Sequence, residues 1–360
     1  MVGLFILIAA ISFVFGKDLS KAEQRLYDKC LKIVKSEFNN PNYYVKSMAI
    51  SAATDSRDMA FESDLHLFLK DTNKNIQLEA AKGLFALGNL DGVGVAEEIV
   101  KTPIEVHGDI NSPVIKMKFL SEENIRIKAA KILGDIGRQE SIDILKKIKK
   151  TETGRMRDAA SIAIAMLGDT TETILFESAI KDEDKFVRIT AIKALEEIAS
   201  RKTLSSVVKA LEDSDSEVRA EATGALGNIG SLEAFDDLKS MLYDPVDTVR
   251  SRAVEGLGKM EDRSIIPILK EFLEDNNGSI RIVAAKSLGI LGSNAGLDTI
   301  KVGMQNEDPD VRERVVEALK YIEHKKSVEF LENMLDDKED RIRLDAAGVI
   351  LLKLNRARKH

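Results

Sequence analysis

An arginine recurs along the chain at a fixed interval of 31 residues: Arg126, Arg157, Arg188, Arg219, Arg250, Arg281, Arg312 and Arg343. Lys46 and Gln77, also 31 apart, hold the same slot upstream. A fixed period of a few tens of residues is the mark of a solenoid, a stack of supersecondary units in which each buries its apolar face against the next.

The residues around the slot define the unit. An aliphatic residue precedes it, as at Val45, Met156, Val187, Val218, Val249 and Ile342. A small residue follows three later, alanine in all units but that of Arg312, where Val315 stands. Seven later comes a larger apolar residue, such as Leu133, Leu195, Leu226 or Leu257. These offsets share one face of a 3.6-residue helix. Glycine follows at the eleventh position in Gly88, Gly137, Gly168, Gly230 and Gly292, where a left-handed residue would end the helix. A second amphipathic stripe, such as Ile265, Ile266, Leu269, Phe272 and Leu273, supplies the other helix of each unit. Ser20 and Glu23 read as a capping box opening the first such helix, and Pro267 fits a first turn. The chain is therefore expected to be all-α: a superhelical α-solenoid of about ten two-helix repeats.

Six residues before the slot an aspartate recurs, as Asp71, Asp182, Asp213, Asp244, Asp275 and Asp337. Such an aspartate can cap the following helix, and the arginine of the next unit can reach its carboxylate. Asp182, Arg188, Asp213, Arg219, Asp244, Arg250, Asp275 and Arg281 are thus expected to form a structural ladder along the stack, each rung worth about 1 kcal/mol or less.

The pattern Asp-x(5)-Arg-x-x-Ala-x-x-x-Leu, on two helices per 31 residues, resembles HEAT repeats over about residues 20–355. Its short, alanine-rich form is similar to the HEAT-like repeats first named from phycobilisome lyases. The resemblance implies arginine-bearing helices on the concave side of a curved rod. Ten units packed at about 9 Å would make that rod roughly 90 Å long.

Two segments depart from the repeat. Residues 1–16 are an uncharged apolar run that switches to polar sequence at Lys17 and Asp18. They read as a secretory signal peptide, giving a secreted or periplasmic chain over residues 17–360; the alternative is a membrane anchor, although the run is short of the ~20 residues a span needs. No other segment could span a membrane. The interval from Gln77 to Arg126 is 49 residues, which leaves 18 extra near residues 100–117. Pro103, Gly108 and Pro113 argue against a continuous helix there, and its aliphatic residues suggest a segment that packs back on the solenoid or forms a hairpin. Insertions of this kind often sit on a binding face.

The net charge of −7 is made of interspersed signs with no basic stripe, tryptophan is absent, and aromatics are 5%. Nucleic acid is a poor partner for such a surface. Cys30 is alone, so it reads as a small core residue or a free thiol. None of the four histidines, His66, His107, His324 and His360, stands in a His-Glu pair. The resemblance to deoxyhypusine hydroxylase therefore brings no iron site with it. His107 with Asp109 is a thin metal hint. No nucleophile elbow, phosphate loop or dinucleotide fingerprint occurs. The expected assignment is no metal, no cofactor and no catalytic residue. The function read from the sequence is a non-enzymatic, monomeric scaffold or adaptor that binds a protein or peptide. The alternative is an enzyme or enzyme subunit akin to HEAT-like lyases or hydroxylases.

Offsets of two, five and nine residues after the slot should face the groove. Most are charged, such as Lys128, Lys131 and Asp135. Apolar residues at these positions are Ile162, Met166, Val283 and Ile290, and Tyr321 is aromatic. These five are the expected partner-binding anchors.

Overall fold

The computed structural model describes residues 18–105, 111–169, 171, 173–198 and 203–359. The expected signal or anchor segment 1–16 lies outside these residues. Among those described there is no strand. In chain order the helices are α1 (Lys21–Ser36), α2 (Tyr43–Ser56), α3 (Glu62–Phe68), α4 (Lys74–Ala86), α5 (Val93–Lys101), α6 (Pro113–Ile136) and α7 (Ile142–Thr151). Next are α8 (Gly154–Met166), α9 (Thr173–Ala179), α10 (Lys185–Ile198), α11 (Leu204–Lys209), α12 (Ser216–Ile229), α13 (Phe235–Ser240) and α14 (Asp247–Lys259). The last are α15 (Ile266–Glu271), α16 (Gly278–Ile290), α17 (Leu297–Gly303), α18 (Pro309–Leu319), α19 (Lys325–Met334) and α20 (Asp340–Lys359).

The even-numbered helices carry the arginine slot. The residue before the slot, the alanine three later and the leucine seven later point between neighbouring units. Ala160, Ala222, Leu133, Leu195, Leu226 and Leu257 have no exposed surface at all. Each such leucine contributes about 2 kcal/mol by leaving water. The helix ends follow local chemistry. Asn42, Asn73, Asp215, Asn277 and Asp308, four residues before their slots, accept a backbone N–H as N-caps. Gly137 and Gly230 stop their helices with φ of 76° and 63°. Ser20 and Glu23 form the capping box, and Pro267 lies in the first turn of α15.

Consecutive even helices touch along the whole chain, and the series does not end: α20 packs against α2 and α1. Asn355 donates to Asp58 at 2.7 Å, Arg358 to Gln24 at 3.2 Å, and Lys320 pairs with Asp55 at 3.4 Å. One hydrophobic cluster joins Cys30, Ala49 and Ile50 to Leu319, Ala347 and Ile350. The solenoid is therefore a closed ring, with even helices as its inner layer and odd helices outside. The open rod of roughly 90 Å expected from stacking alone is corrected: that length is wrapped into a circuit of ten inner helices. Close backbone approach makes the inner circuit tight. A Cβ on Gly227 would lie 2.4 Å from the Cα of Gly256, and one on Gly348 would lie 2.8 Å from the Ala52 carbonyl oxygen.

The ladder also needs correction in direction and in extent. The arginine reaches the aspartate 25 residues later, because its guanidinium first bonds its own turn and then points onward. Arg188 donates through Nε and Nη2 to Asp213 at 2.8 and 2.9 Å, Arg219 likewise to Asp244 at 2.8 and 3.2 Å, and Arg312 to Asp337 at 2.7 and 3.0 Å. Each also donates through Nη1 to the carbonyl six residues back, at 2.9, 2.9 and 2.8 Å. Arg250 bonds the Asp244 carbonyl and pairs with Asp247 rather than reaching Asp275. Arg281 bonds the Asp275 and Asn276 carbonyls at 2.7 and 3.1 Å. The recurrent aspartate does not itself cap the helix. It accepts the N–H two residues on, as Asp213 does from Asp215 at 2.9 Å, and so holds the N-cap residue in place.

The insertion near 100–117 is not a hairpin in its described part. After Thr102 to Glu105 the chain re-enters a helix at Pro113, which serves as the first residue of α6.

Candidate binding surface

The parallel inner helices put their N-terminal ends on one rim of the ring. Neighbouring ends are clipped together there: Lys74 to Glu122 at 2.9 Å, Arg155 to Glu123 at 3.1 Å and Lys185 to Asp215 at 3.0 Å. One joint on this rim differs from the rest. In the α7–α8 turn, Thr151 stands where most units have aspartate, and its hydroxyl donates back to the Lys147 carbonyl at 3.1 Å. Glu152 is drawn to Arg126 at 2.7 Å, and Gly154 takes a φ of 57°. Arg157 consequently makes neither the turn bond nor the rung. Its guanidinium is largely exposed and approaches only Asp158, at 3.8 Å. Asp182, its expected partner, accepts from Asp184 N in its own turn at 2.9 Å.

A groove of about 760 Å³ lies at this joint, lined by Arg157, Asp158, Leu175, Phe176, Ala179, Phe186 and Val187 among others. Val187 decides its significance. The residue before the slot is at most 9% exposed in Val45, Ile76, Ile125, Met156, Val218, Val249, Ile280 and Ile342, yet Val187 is 38% exposed. Phe186 and Leu175 are exposed at 65% and 62%. Next to α8 on the same rim, α6 starts nine residues before Glu122, so its first turns stand roughly 14 Å clear of both neighbours. That projection exposes Val114, Met117, Phe119 and Leu120. Two apolar surfaces thus occupy one sector of one rim.

The inward anchors expected from the sequence are placed differently. Offsets two, five and nine do face the interior of the ring. Ile162, Met166, Val283, Ile290 and Tyr321 are, however, all half-buried rather than exposed. Met166 Sδ fills the space beside Gly134, and Val283 packs on the core. Lys131 on α6 pairs at 2.8 Å with Glu197 on α10, spanning the inward side of α8, the helix that carries Ile162 and Met166. Lys286 Nζ lies 5.9 Å from the Tyr321 ring centre. Close helix spacing in a closed ring consumes the area that an open groove would have left free. The interior wall is otherwise a mesh of opposite charges, including Lys128 with Glu79 at 2.6 Å and Lys286 with Glu255 at 3.1 Å. Between α14, α16 and α18 it forms a cleft of about 520 Å³.

Several acids and bases on the ring carry shifted protonation. Burial, reinforced by the charges of Glu313 and Asp55, pushes Asp345 up to about 7 where α20 meets α2. The Lys286 ammonium is desolvated, but Glu317 and Glu255 outweigh that and raise it. Cys30 is fully buried, and burial pushes its thiol up to about 12, which settles it as a core residue. His66 Nε2 bonds Asp91 at 2.8 Å, which raises the imidazole. Among the described residues no three His, Cys, Asp or Glu side chains converge as a metal site. His107, Asp109 and His360 lie outside those residues. No helix among them is long and apolar enough to cross a membrane.

Sequence reasoning missed the rim site because the slot before each arginine reads as core in every unit. A usable signal stood one residue earlier: Phe186 is aromatic where every other unit except that of Tyr44 has a polar or charged residue. Thr151 and Gly154 marked the altered turn.

A model of HEAT repeats matches residues 172–258, 244–305 and 266–351. No curated protein sequence matches the chain. Among solved structures, the CpcE–CpcF complex of phycocyanin lyase from Nostoc sp. PCC7120 is 20% identical with a TM-score of 0.38, over 70% of this chain and 97% of that one. The archaeal HEAT-like repeats protein from Thermococcus onnurineus NA1 is 19% identical with a TM-score of 0.36, over 59% and 97%. Human deoxyhypusine hydroxylase is 15% identical with a TM-score of 0.33, over 75% and 98%. The repeat pattern, the all-helical two-layer stack and the matched repeats together make this chain a member of the HEAT-repeat family.

Proposed function

We propose that the protein is a non-enzymatic binding module that holds a segment of another polypeptide on the rim of its ring, at the groove between α8 and α10. The observation that carries this reading is Val187, exposed in a slot that is buried in eight other units. A fold that can bury this side chain in nearly every unit leaves it uncovered at one, beside Phe186 and Leu175. A partner side chain entering there removes apolar area from water without disturbing the rest of the stack. The binding surface is preformed, so little ordering cost falls on the ring.

The test is affinity isolation with the full chain, compared with Val187→Glu and Phe186→Glu variants whose melting matches wild type. A protein retained by wild type and lost from both variants supports the groove. Retention by all three places binding elsewhere.

Residues 1–16 support a second element of the reading, export through a cleaved signal peptide, with a retained anchor as the alternative. N-terminal sequencing of the chain from its native cell distinguishes them: a mature start near Lys17 supports export with cleavage, and a start at Met1 rejects it.

A further inference from the structure

We infer that the segment bound at this groove carries a carboxylate, and that this carboxylate docks on Arg157 as the rung the ring itself does not supply. The inference rests on the binding reading above and adds the chemistry of the partner.

The repeat shows what an arginine in this slot takes. At Arg188, Arg219 and Arg312 the Nε–Nη2 edge receives both oxygens of an aspartate, at 2.7 to 3.2 Å. Those aspartates come from the next unit. At Arg157 that unit offers Asp182, which accepts the N–H of its own turn and makes no rung. Because the altered turn at Thr151 and Gly154 leaves Arg157 without the carbonyl bond that aims the other guanidinia onward, the fork is left with Asp158 at 3.8 Å. The exposed cation stands at the edge of an apolar floor made by Leu175, Phe186 and Val187. A short peptide with two or three large apolar side chains and one Asp or Glu matches both parts. The apolar residues cover the floor, and the carboxylate accepts two N–H bonds from the guanidinium. Planar bidentate pairing of this kind discriminates against amide and against cation.

The experiment selects peptides of about a dozen residues from a random displayed library on the immobilised full chain, in parallel with Arg157→Gln, Arg157→Lys and Val187→Glu. The wild type should enrich apolar sequences with an acidic residue at a constant position. A synthetic copy of an enriched peptide should bind Arg157→Gln about ten- to a hundred-fold more weakly, as expected for a charge-assisted pair. Arg157→Lys should fall between, and Val187→Glu should not bind. Changing the peptide's acid to its amide should cost the same factor on wild type and nothing further on Arg157→Gln.

Enriched peptides without an acid, or equal losses on both proteins for acid to amide, would overturn the carboxylate inference. Their loss on Val187→Glu would leave the binding reading standing. Enrichment indifferent to Val187→Glu, or no enrichment at all, would overturn both. Displacement of the peptide by laurate at similar concentration would reassign the groove to a fatty acid.

Discussion

The joint that closes the ring and the joint between α8 and α10 are made from the same repeat, but the first is filled and the second is not. At closure, chain ends about 300 residues apart in sequence meet as though consecutive. Ala52 lies against Gly348, Asn355 reaches the buried Asp58, and Arg358 stacks 4.2 Å from the Tyr27 ring centre. At α8–α10, covalently adjacent units leave Val187, Phe186 and Leu175 in water and a rung unmade. Sequence proximity therefore does not decide which joint is tight. Side-chain fit does, and at α8–α10 a turn that departs from the repeat leaves that fit incomplete.

The largest test of this contrast uses one slot twice. Val218→Asp puts an unpaired carboxylate into a site with no exposure and should cost about 4 kcal/mol or more. Several neighbouring units should unfold with it, since each buries its core against the next. Val187→Asp, in the equivalent position of the open joint, should cost within about 0.5 kcal/mol. Thermal melts of the two variants decide the matter. Equal destabilisation would mean the groove is closed in solution.

A second test breaks the tight joint. Gly348→Val places a Cβ 2.8 Å from one backbone atom and 3.2 Å from another on α2, and neither can rotate aside. The helices must part, at a cost of about 2 to 3 kcal/mol. Small-angle scattering should record a larger radius of gyration as the ring opens. An unchanged radius with an unchanged melt would show that the ends do not pack as described.

Protonation sharpens the same seam. Asp345 sits beside Asp55, Ser51, Glu313, Glu317 and Lys320 in a cleft of about 270 Å³, with Arg341 on its own helix. Its folded value of about 7 lies above the ordinary carboxylate range, so the protonated form favours the fold. That contribution is complete below about pH 4 and is lost as pH rises to about 7. Asp345→Asn should abolish this slope and raise stability near pH 8 by on the order of 2 kcal/mol, because water in the cleft screens part of the full effect. Melts of both proteins between pH 5 and 8 (roughly, the usual stability range) check the sign.

The tight joint and the open one were not equally legible in the sequence. The period, the alanine and leucine slots and the glycine stops fixed the unit, because each is a local requirement of a packed helix pair. The inward face was also legible from offsets two, five and nine. Closure was not, because it depends on the angle accumulated over ten units rather than on any one residue. A hint existed in Gly134, Gly227, Gly258 and Gly289, all eight residues after their arginines, which mark inner helices pressed together. The exposure expected of Ile162 and Met166 is reduced for the related reason that a closed ring shortens its inner wall and half-buries what an open groove would show. The groove at Val187 escaped notice because a repeat pattern identifies positions, whereas exposure there arises from a turn that departs from the pattern at Thr151 and Gly154.

The smallest effect separates a rung that is made from one that is missing. Arg219 and Asp244 are both largely buried, and Arg219 holds the Asp244 carboxyl below its ordinary range. Arg219→Gln leaves that carboxylate short of its bidentate partner and should cost about 1 to 2 kcal/mol, more than an exposed pair provides. The loss should shrink as pH falls through the range where Asp244 takes up its proton, since a carboxyl held low adds stability only while ionised. Arg157→Gln removes no rung and should leave the melt within about 0.5 kcal/mol of wild type at any pH. If Arg157→Gln instead destabilised the ring as Arg219→Gln does, the guanidinium would be engaged within the ring, and the open joint would lose the cation that sets it apart.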